Sequence, residues 1–129
     1  MSPAGRLADY IDHMQQAAAQ AVAYVQGMDL AAFQADRRTQ QAVLMNIVVL
    51  GEAAGRVLAE FPDFAAGQAD VPWRAIRGMR NRVAHAYFNV NLELVWETVR
   101  TALPDLAAQL PAVLRDAQQF PGPPTEPLT

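Results

Sequence analysis

The sequence predicts an all-α protein folded as an up-and-down bundle of four to five helices. Apolar residues recur at steps of three and four through most of the chain, no stretch alternates as a strand would, and no internal repeat occurs. The 129 residues, 52% of them hydrophobic, suffice for one core. We therefore expect one domain over residues 1–118 and a proline-rich disordered tail over residues 119–129.

The first half of the chain predicts two long helices. An apolar stripe from Leu7 to Val25 marks the first of them, which should end near Gly27. Asp29 suits the N-cap of a short helical turn after it. The second long helix should begin at Asp36 as its N-cap and stop at Phe61, because the next residue is proline and the position before a proline avoids helical geometry. Its middle is nearly all apolar, so it should be the most buried helix.

In the second half, residues 62–71 have the composition of a loop, and Pro72 suits the first turn of a third long helix from about Trp73 to Ala86. Asn91 is a good N-cap for the next helix. Pro104 and Pro111 lack an amide proton, so each should kink a helix or start a new helical segment.

Composition excludes several classes of function. The net charge of -3 argues against a protein that binds nucleic acid through its whole-molecule field. The sequence has no cysteine, which excludes disulfides, thiolate zinc sites and cysteine nucleophiles. Its first residues have neither the basic start nor the apolar core expected of a signal sequence, and it has no long uncharged apolar run. We expect a soluble cytoplasmic protein that contacts no membrane and uses no cofactor.

The cationic residues are all arginines, and four of the ten lie within nine residues: Arg74, Arg77, Arg80 and Arg82. A guanidinium group presents planar donors that suit a phosphate, so this cluster predicts a local anion site. On a helical wheel, one side of the third long helix is apolar and forms the core side: Trp73, Ile76, Met79 and Val83. The opposite side is polar and is flanked by Arg77 and Arg82: Arg74, Gly78, Asn81 and His85. We expect Arg74, Arg77 and Arg82 to bind phosphates.

The polar side has two features that favour a function. Asn81 and His85 are one turn apart, so the amide can orient the imidazole. Gly78 weakens the helix, and its compensation would be the close approach of another backbone or a ligand. A base beside phosphate-binding guanidinium groups is what RNA cleavage requires. Spacing alone leaves open the alternative that His85 is a surface histidine without a role.

Arg80 lies about 40° from the centre of the core side, so its stem should be partly buried and its head should need a partner. Glu52, within the apolar second helix, is the best candidate for that partner. A buried pair of these residues would either be purely structural or position the arginine for catalysis. Arg80 and His85 are about 140° apart on an ideal helix, so one chain cannot easily place both on one phosphate, whereas a two-fold dimer could.

The remaining candidates are aromatic residues and the second histidine. His13 lacks further ligands at helical spacing, so we expect no metal site. Trp73 and Trp96 are in phase with apolar stripes and should anchor the core. Tyr87 leaves two alternatives, because its side chain would point to the core if the helix continued and its hydroxyl would lie beside the site if the helix ended before Phe88.

Arg80, His85 and Tyr87 together match the R-x4-H-x-Y motif of HepT-like proteins in the HEPN superfamily, which the chain resembles over residues 5–115. Asn81 fits the polar residue that commonly follows the arginine in that family. Residues 73–79, 87–91 and 51–53 also resemble the family, as does Trp96. The resemblance implies a HEPN-like helical bundle that dimerises through the helix carrying the motif.

The resemblance also implies an activity and a partner. The activity is that of a metal-independent endoribonuclease, with His85 as the general base on a ribose 2'-hydroxyl and Arg80 on the scissile phosphate, leaving a 2',3'-cyclic phosphate. The chain would be the toxin of a toxin–antitoxin pair, and its antitoxin would be a minimal nucleotidyltransferase of the MntA type that blocks the site by adding AMP to Tyr87. Two other classes remain: a non-catalytic subunit that binds a nucleotidyltransferase or a nucleotide, and a helical dimerisation domain.

Overall fold

The secondary structure is helical throughout the part of the chain that the computed structural model describes, residues 3–121, in which no strand occurs. The α-helices are α1 (Pro3–Tyr24), α2 (Leu30–Ala35), α3 (Arg37–Glu60), α4 (Pro62–Gly67), α5 (Trp73–His85), α6 (Leu92–Glu97) and α7 (Leu103–Gln119). A 3-10 turn at Tyr87–Asn89 joins α5 to α6, and a π-helical turn at Thr98–Ala102 joins α6 to α7. The predicted all-α class is confirmed.

Side-chain caps fix where three of the helices begin. Asp29, Asp36 and Asn91 each accept a hydrogen bond from the backbone N–H three residues further on, at 2.8, 3.0 and 3.2 Å. The backbone N–H and the hydroxyl of Thr39 both donate to Asp36, and these bonds lower the pKa of its carboxyl below the ordinary value. The sequence predicts all three caps, and all three are confirmed.

Two proline-containing segments differ from expectation. Residues 62–71 do not form a continuous loop, since Pro62 starts α4, where a first-turn residue needs no N–H donor. Pro111 does not start a new segment, because α7 continues through it to Gln119. The burial of Leu110 and Val113 on either side of it, in a helix that packs on α1, offsets the lost hydrogen bond. Pro104 does begin a new segment as predicted, just after the π-helical turn.

The packing order across the bundle is α5 on α3, α3 on α1, and α1 on α7, while α2 and the short helix α6 cover one end. Nine residues of α3 are buried, more than in any other described helix, as its apolar sequence predicts. Trp73 is buried as expected. Trp96 is half-buried and packs its ring 5.4 Å from that of Phe33. The core therefore lies mainly between α1, α3 and α7, and α5 lies on its outer side.

The apolar character of α3 is also sufficient, by length and composition alone, for a helix that crosses a membrane. Half of that apolar window is buried inside the bundle. Its interior position accounts for its composition, as it does for the core helices of other bundles.

The predicted tail falls mostly on residues 122–129, which lie outside the described residues. Just before them, Gln119 is the last residue of α7. Phe120 packs on Phe64 with the ring centroids 5.3 Å apart. Ordered packing thus reaches slightly beyond residue 118.

Helices α3 and α5 approach each other closely at Gly51. A methyl group added there would overlap the Cβ atom of Arg80 and lie 2.8 Å from its Cγ and 3.0 Å from the carbonyl oxygen of Ile76. One turn later, a methyl group on Gly55 would lie 3.5 Å from Cδ of Arg77. Glycine at position 51 is therefore what lets the backbone of α5 lie against α3.

We predict that Gly51→Ala lowers the free energy of unfolding by about 1–3 kcal/mol, because α5 would have to move away from α3. Urea denaturation measures this. Gly78→Ala is the matched control, since it lies within α5 and nothing in the described structure lies within 4 Å of the added methyl group. That control should raise the free energy of unfolding by about 0.5–1 kcal/mol. Equal stability of Gly51→Ala and the wild type would contradict the close approach.

Candidate functional site

The four clustered arginines are separated by the folding of α5. Arg80 turns toward α3, where it pairs with Glu52. Arg82 lines a cavity together with His85. Arg74 and Arg77 line a different groove, which lies between the start of α5, the end of α3 and α4. Residues that form one anion cluster in the sequence therefore supply three separate places on the surface.

Arg80 is held by two side chains. Its Nη2 atom lies 3.2 Å from Oε2 of Glu52, and its Nη1 donates to Oδ1 of Asn81 at 3.1 Å. Its Nε is buried and has no hydrogen-bond partner among the described residues. The predicted pair with Glu52 is confirmed. A buried Glu52 is not, because 54% of its side chain is exposed, against 32% for Arg80.

The exposure of Glu52 follows from helix geometry. Gly51 occupies the position of α3 that faces α5, so the next residue is turned by about 100° away from that interface. Glu52 can reach Arg80 only at the edge of the two helices, where water competes. A half-exposed ion pair of this kind contributes roughly 1 kcal/mol or less to stability, so its main consequence is the orientation of the guanidinium group. The second protons of Nη1 and Nη2 remain available for a ligand oxygen.

Asn81 supports the arginine and not the histidine. The expected hydrogen bond between Asn81 and His85 does not occur among the described residues, since the Asn81 oxygen accepts from Arg80 instead. Helical spacing allowed both arrangements. A charged guanidinium donor forms the stronger hydrogen bond, so the neighbour at position 80 prevails over the histidine one turn away.

His85 is the last residue of α5, and its side chain is exposed at a cavity of about 500 Å³. The cavity lies between the end of α5, the 3-10 turn and α6. Its apolar lining includes the buried side chains of Val83 and Val95. Exposed polar residues line it as well: Asn81, Arg82, Asn89 and Asn91. Sequence reasoning missed Asn89 and the wall formed by α6, because both belong to elements that follow the motif helix.

The two alternatives for Tyr87 depended on where α5 ends. The helix ends at His85, Ala86 is its C-cap, and Tyr87 is the first residue of the 3-10 turn. The helix thus stops before Phe88, whose side chain is 95% exposed. The side chain of Tyr87 lies outside the described part of the structure, and its position is not assigned.

The described residues bear on two further features, a metal site and the space beside Gly78. They contain no group of three or more histidine, cysteine or carboxylate side chains placed to hold a metal ion. Gly78 has no neighbour within 4 Å of an added methyl group in this part of the chain. The close approach expected at Gly78 is therefore not made by the chain itself.

We predict that Glu52→Gln lowers the free energy of unfolding by less than about 1 kcal/mol but loosens the Arg80 side chain, because the lost pair is half-exposed. Urea denaturation measures the first effect, and faster water exchange of the Arg80 Nε proton in NMR spectra measures the second. Glu60→Gln, on the same helix, is the control that leaves Arg80 unchanged. A large loss of stability, or an unchanged exchange rate, would contradict this account.

Known proteins resemble this chain in sequence. A protein of Caldanaerobacter subterraneus subsp. tengcongensis that is named as an RNase is 30% identical over 82% of this chain and 92% of its own. A protein of Thermococcus cleftensis named as a probable ribonuclease HepT is 30% identical over 76% of this chain and 86% of its own. A third, named as an RNase of Methanocaldococcus jannaschii, is 31% identical over 67% of this chain and 69% of its own. No solved structure gives a significant match.

The sequence model of one protein family, described as ribonuclease HepT-like, matches residues 14–113. This segment spans α3 and α5, with Gly51, Glu52, Arg80 and His85, together with the second half of α1 and most of α7. The match and the relatives agree with the resemblance that the motif indicates. The chain therefore belongs to the ribonuclease HepT-like family.

Proposed function

We propose that this protein is a metal-independent endoribonuclease in which His85 and Arg80 carry the reaction. The observation that supports this most strongly is the Arg80 guanidinium, which Glu52 and Asn81 hold on the same helix that ends in the exposed His85. Membership of the ribonuclease HepT-like family supports the same activity. Its place of action would be the cytoplasm.

In the proposed reaction, the imidazole of His85 takes the proton of a ribose 2'-hydroxyl. The 2'-oxygen then attacks the adjacent phosphorus, and Arg80 neutralises the charge that develops on the phosphate oxygens. The bond from phosphorus to the 5'-oxygen breaks, and that oxygen takes a proton from an imidazolium or from water. The products are a 2',3'-cyclic phosphate and a 5'-hydroxyl. DNA would not be cut, because it lacks the nucleophile.

The other arginines would bind the RNA on either side of the cut. Arg82 lines the cavity beside His85, whereas Arg74 and Arg77 line the groove at the start of α5. Thirteen residues of helix give α5 a length of about 20 Å. These arginines would contact phosphates spread along a strand that follows the helix. Such contacts raise affinity for RNA in general and weaken as salt is added.

We predict that the purified protein cuts single-stranded RNA in the presence of EDTA. His85→Ala should lower the cleavage rate by about 10²–10⁴-fold, because it removes the base. Arg80→Lys should lower it by about 10²–10³-fold although charge is kept, because a lysine cannot make the paired contacts of a guanidinium group. Gel analysis of a labelled RNA measures the rate, and mass spectrometry identifies the cyclic phosphate.

His13→Ala is the matched control for these variants. It removes the other histidine, which is exposed on α1, and should leave cleavage unchanged. Circular dichroism should give the same helix content for all variants. Cleavage that survives both His85→Ala and Arg80→Lys would exclude the proposed roles.

We propose further that two copies of the chain pair through α5, so that each supplies residues to a shared cleft. Met45 and Val49 are one turn apart on α3 and leave 63% and 37% of their surfaces exposed. Met45 lines a shallow groove with Ala84 of α5. Exposed apolar groups of this kind beside a helix are typical of an interface.

We predict that Met45→Glu yields a monomer that loses most of the RNase activity while remaining folded, because the charge would be buried between two copies. Analytical ultracentrifugation gives the mass, and the RNA assay gives the activity. Tyr24→Glu is the control, since it also charges an exposed large side chain but lies at the end of α1. A monomeric Met45→Glu protein with full activity would refute the shared cleft.

The biological role that we propose is that of the toxin in a toxin–antitoxin pair. The partner would be a minimal nucleotidyltransferase of the MntA type, and Tyr87 would be the residue that it modifies. In that step the Tyr87 oxygen attacks the α-phosphorus of ATP and pyrophosphate leaves. Tyr87 is two residues beyond His85 at the start of the 3-10 turn, so an added AMP would place a bulky anion next to the proposed base. RNA would then be excluded by volume and by charge.

We predict that Tyr87→Phe is as toxic as the wild type when expressed in a bacterial host but is no longer neutralised by a co-expressed MntA-type enzyme. Growth curves measure toxicity, and intact-protein mass spectrometry measures the added AMP. Tyr24→Phe is the control and should be neutralised like the wild type. Neutralisation of the Tyr87→Phe protein would exclude this residue as the acceptor.

A further inference from the structure

We propose that the cavity beside His85 binds a nucleobase of the RNA substrate, namely the base of the nucleotide whose 2'-hydroxyl attacks the phosphorus. The inference rests on the proposed RNase function and adds a base-binding subsite to it. The cavity lies between the end of α5, the 3-10 turn and α6 and has a volume of about 500 Å³. Small-molecule sites are commonly concave and apolar with a few polar groups at their edges.

The lining of the cavity suits a flat aromatic ring with polar edges. Val83 and Val95 are buried, and Met79 and Leu94 add further apolar surface for the faces of a base. Asn89 lies on the 3-10 turn and offers both an amide donor and a carbonyl acceptor. Single-stranded RNA is recognised in this way, by splayed-out bases whose faces are covered and whose edges form hydrogen bonds.

The oxygens of two asparagines that line the cavity accept hydrogen bonds from other groups. Oδ1 of Asn81 accepts from Arg80, and Oδ1 of Asn91 accepts from the backbone N–H of Leu94 at the start of α6. Among the described residues, no hydrogen bond uses the amide NH₂ group of either asparagine. Together with Arg82 they offer more donors than acceptors, so ring nitrogens and carbonyl oxygens of a base fit better than exocyclic amino groups.

The position of His85 in the lining connects the cavity to the reaction. A general base must come within hydrogen-bond reach of the 2'-hydroxyl that it deprotonates. The base bonded to the same ribose must then also lie close to His85. The cavity that His85 itself lines is a concave surface at this place, and Arg82 beside it can contact an adjacent phosphate.

A second copy of the chain is a less suitable occupant. The pair of exposed apolar residues that fits an interface between copies, Met45 and Val49, lies on α3, which contributes no residue to this cavity. Leu94 is the exposed large apolar residue among the described residues that line the cavity. Both occupants can be separated by experiment.

Binding of single nucleotides tests the subsite without any cleavage. The full-length protein is titrated with the four nucleoside 3'-monophosphates and with ribose 5-phosphate, and the side-chain amide signals of Asn89 and Asn81 are followed by NMR. We expect at least one nucleotide to shift these signals and to bind roughly tenfold more tightly than the sugar phosphate. Equal binding of nucleotides and ribose 5-phosphate, or no shift at these amides, overturns the proposal.

Two variants test whether the cavity itself is responsible. Leu94→Trp fills it from a side chain that is 46% exposed, and it should weaken nucleotide binding roughly tenfold. Asn89→Ala, on an exposed turn, should remove the preference among bases and thus guards against misfolding of the first variant. Tyr24→Trp, a comparable substitution at an exposed position on α1, should leave binding unchanged. If Leu94→Trp instead dissociates a dimer, the occupant is a second copy and the proposal is wrong.

A cleavage assay separates this proposal from the proposed function. The substrate is an oligonucleotide with a single ribonucleotide, supplied either with its base or as an abasic ribose. We expect the wild type to cut the abasic site roughly tenfold less efficiently in kcat/KM, and Leu94→Trp to cut both sites equally. If cleavage depends on His85 but is equally efficient with and without the base, the subsite is overturned and the proposed RNase function stands. If the protein binds bases specifically but does not cleave RNA, the subsite stands and the RNase function is overturned.

Discussion

The contact on which the rest of the site depends is the one between Gly51 of α3 and the stem of Arg80 on α5. Any larger side chain at position 51 would collide with Cβ of Arg80, so the absence of a side chain sets the distance between the two helices. That distance brings Arg80 within reach of Glu52 on the next position of α3. The same contact leaves the Arg80 Nε buried and directs the two terminal nitrogens outward. A steric constraint thus becomes the orientation of a charged group.

The same geometry gives α5 one side that packs on α3 and another that faces open clefts. One side of the helix is committed to α3, which is its main packing partner among the described elements. On another side lie open clefts that are lined by Arg82, by His85, and by Arg74 with Arg77. A helix supported mainly on one side can present its polar groups to a large ligand, at the cost of fewer stabilising contacts. The side of α5 that makes few packing contacts is thus the side that is open to a ligand.

The π-helical turn and the proline that follows it come just after α6, the helix that forms one wall of the cavity beside His85. Pro104 lacks the N–H that a regular helix needs, and the N–H of Leu103 donates to the carbonyl of Thr98, five residues back. The wider turn lies between α6 and α7. Helix α6 lines the cavity beside His85, whereas α7 packs on α1.

The sequence by itself determined the helical class, the three side-chain caps, the core side of α5 and the pairing of Arg80 with Glu52. These depend on local periodicity, on hydrogen bonds within four residues, and on one charge among apolar neighbours. Only the tertiary structure decided that Asn81 binds Arg80, that Glu52 is exposed, and that Asn89 joins His85 at one cavity. Each of these depends on competition between partners or on the distance between helices, and helical spacing leaves both undetermined. Residue patterns fix which groups share a helix face, whereas packing fixes which groups meet.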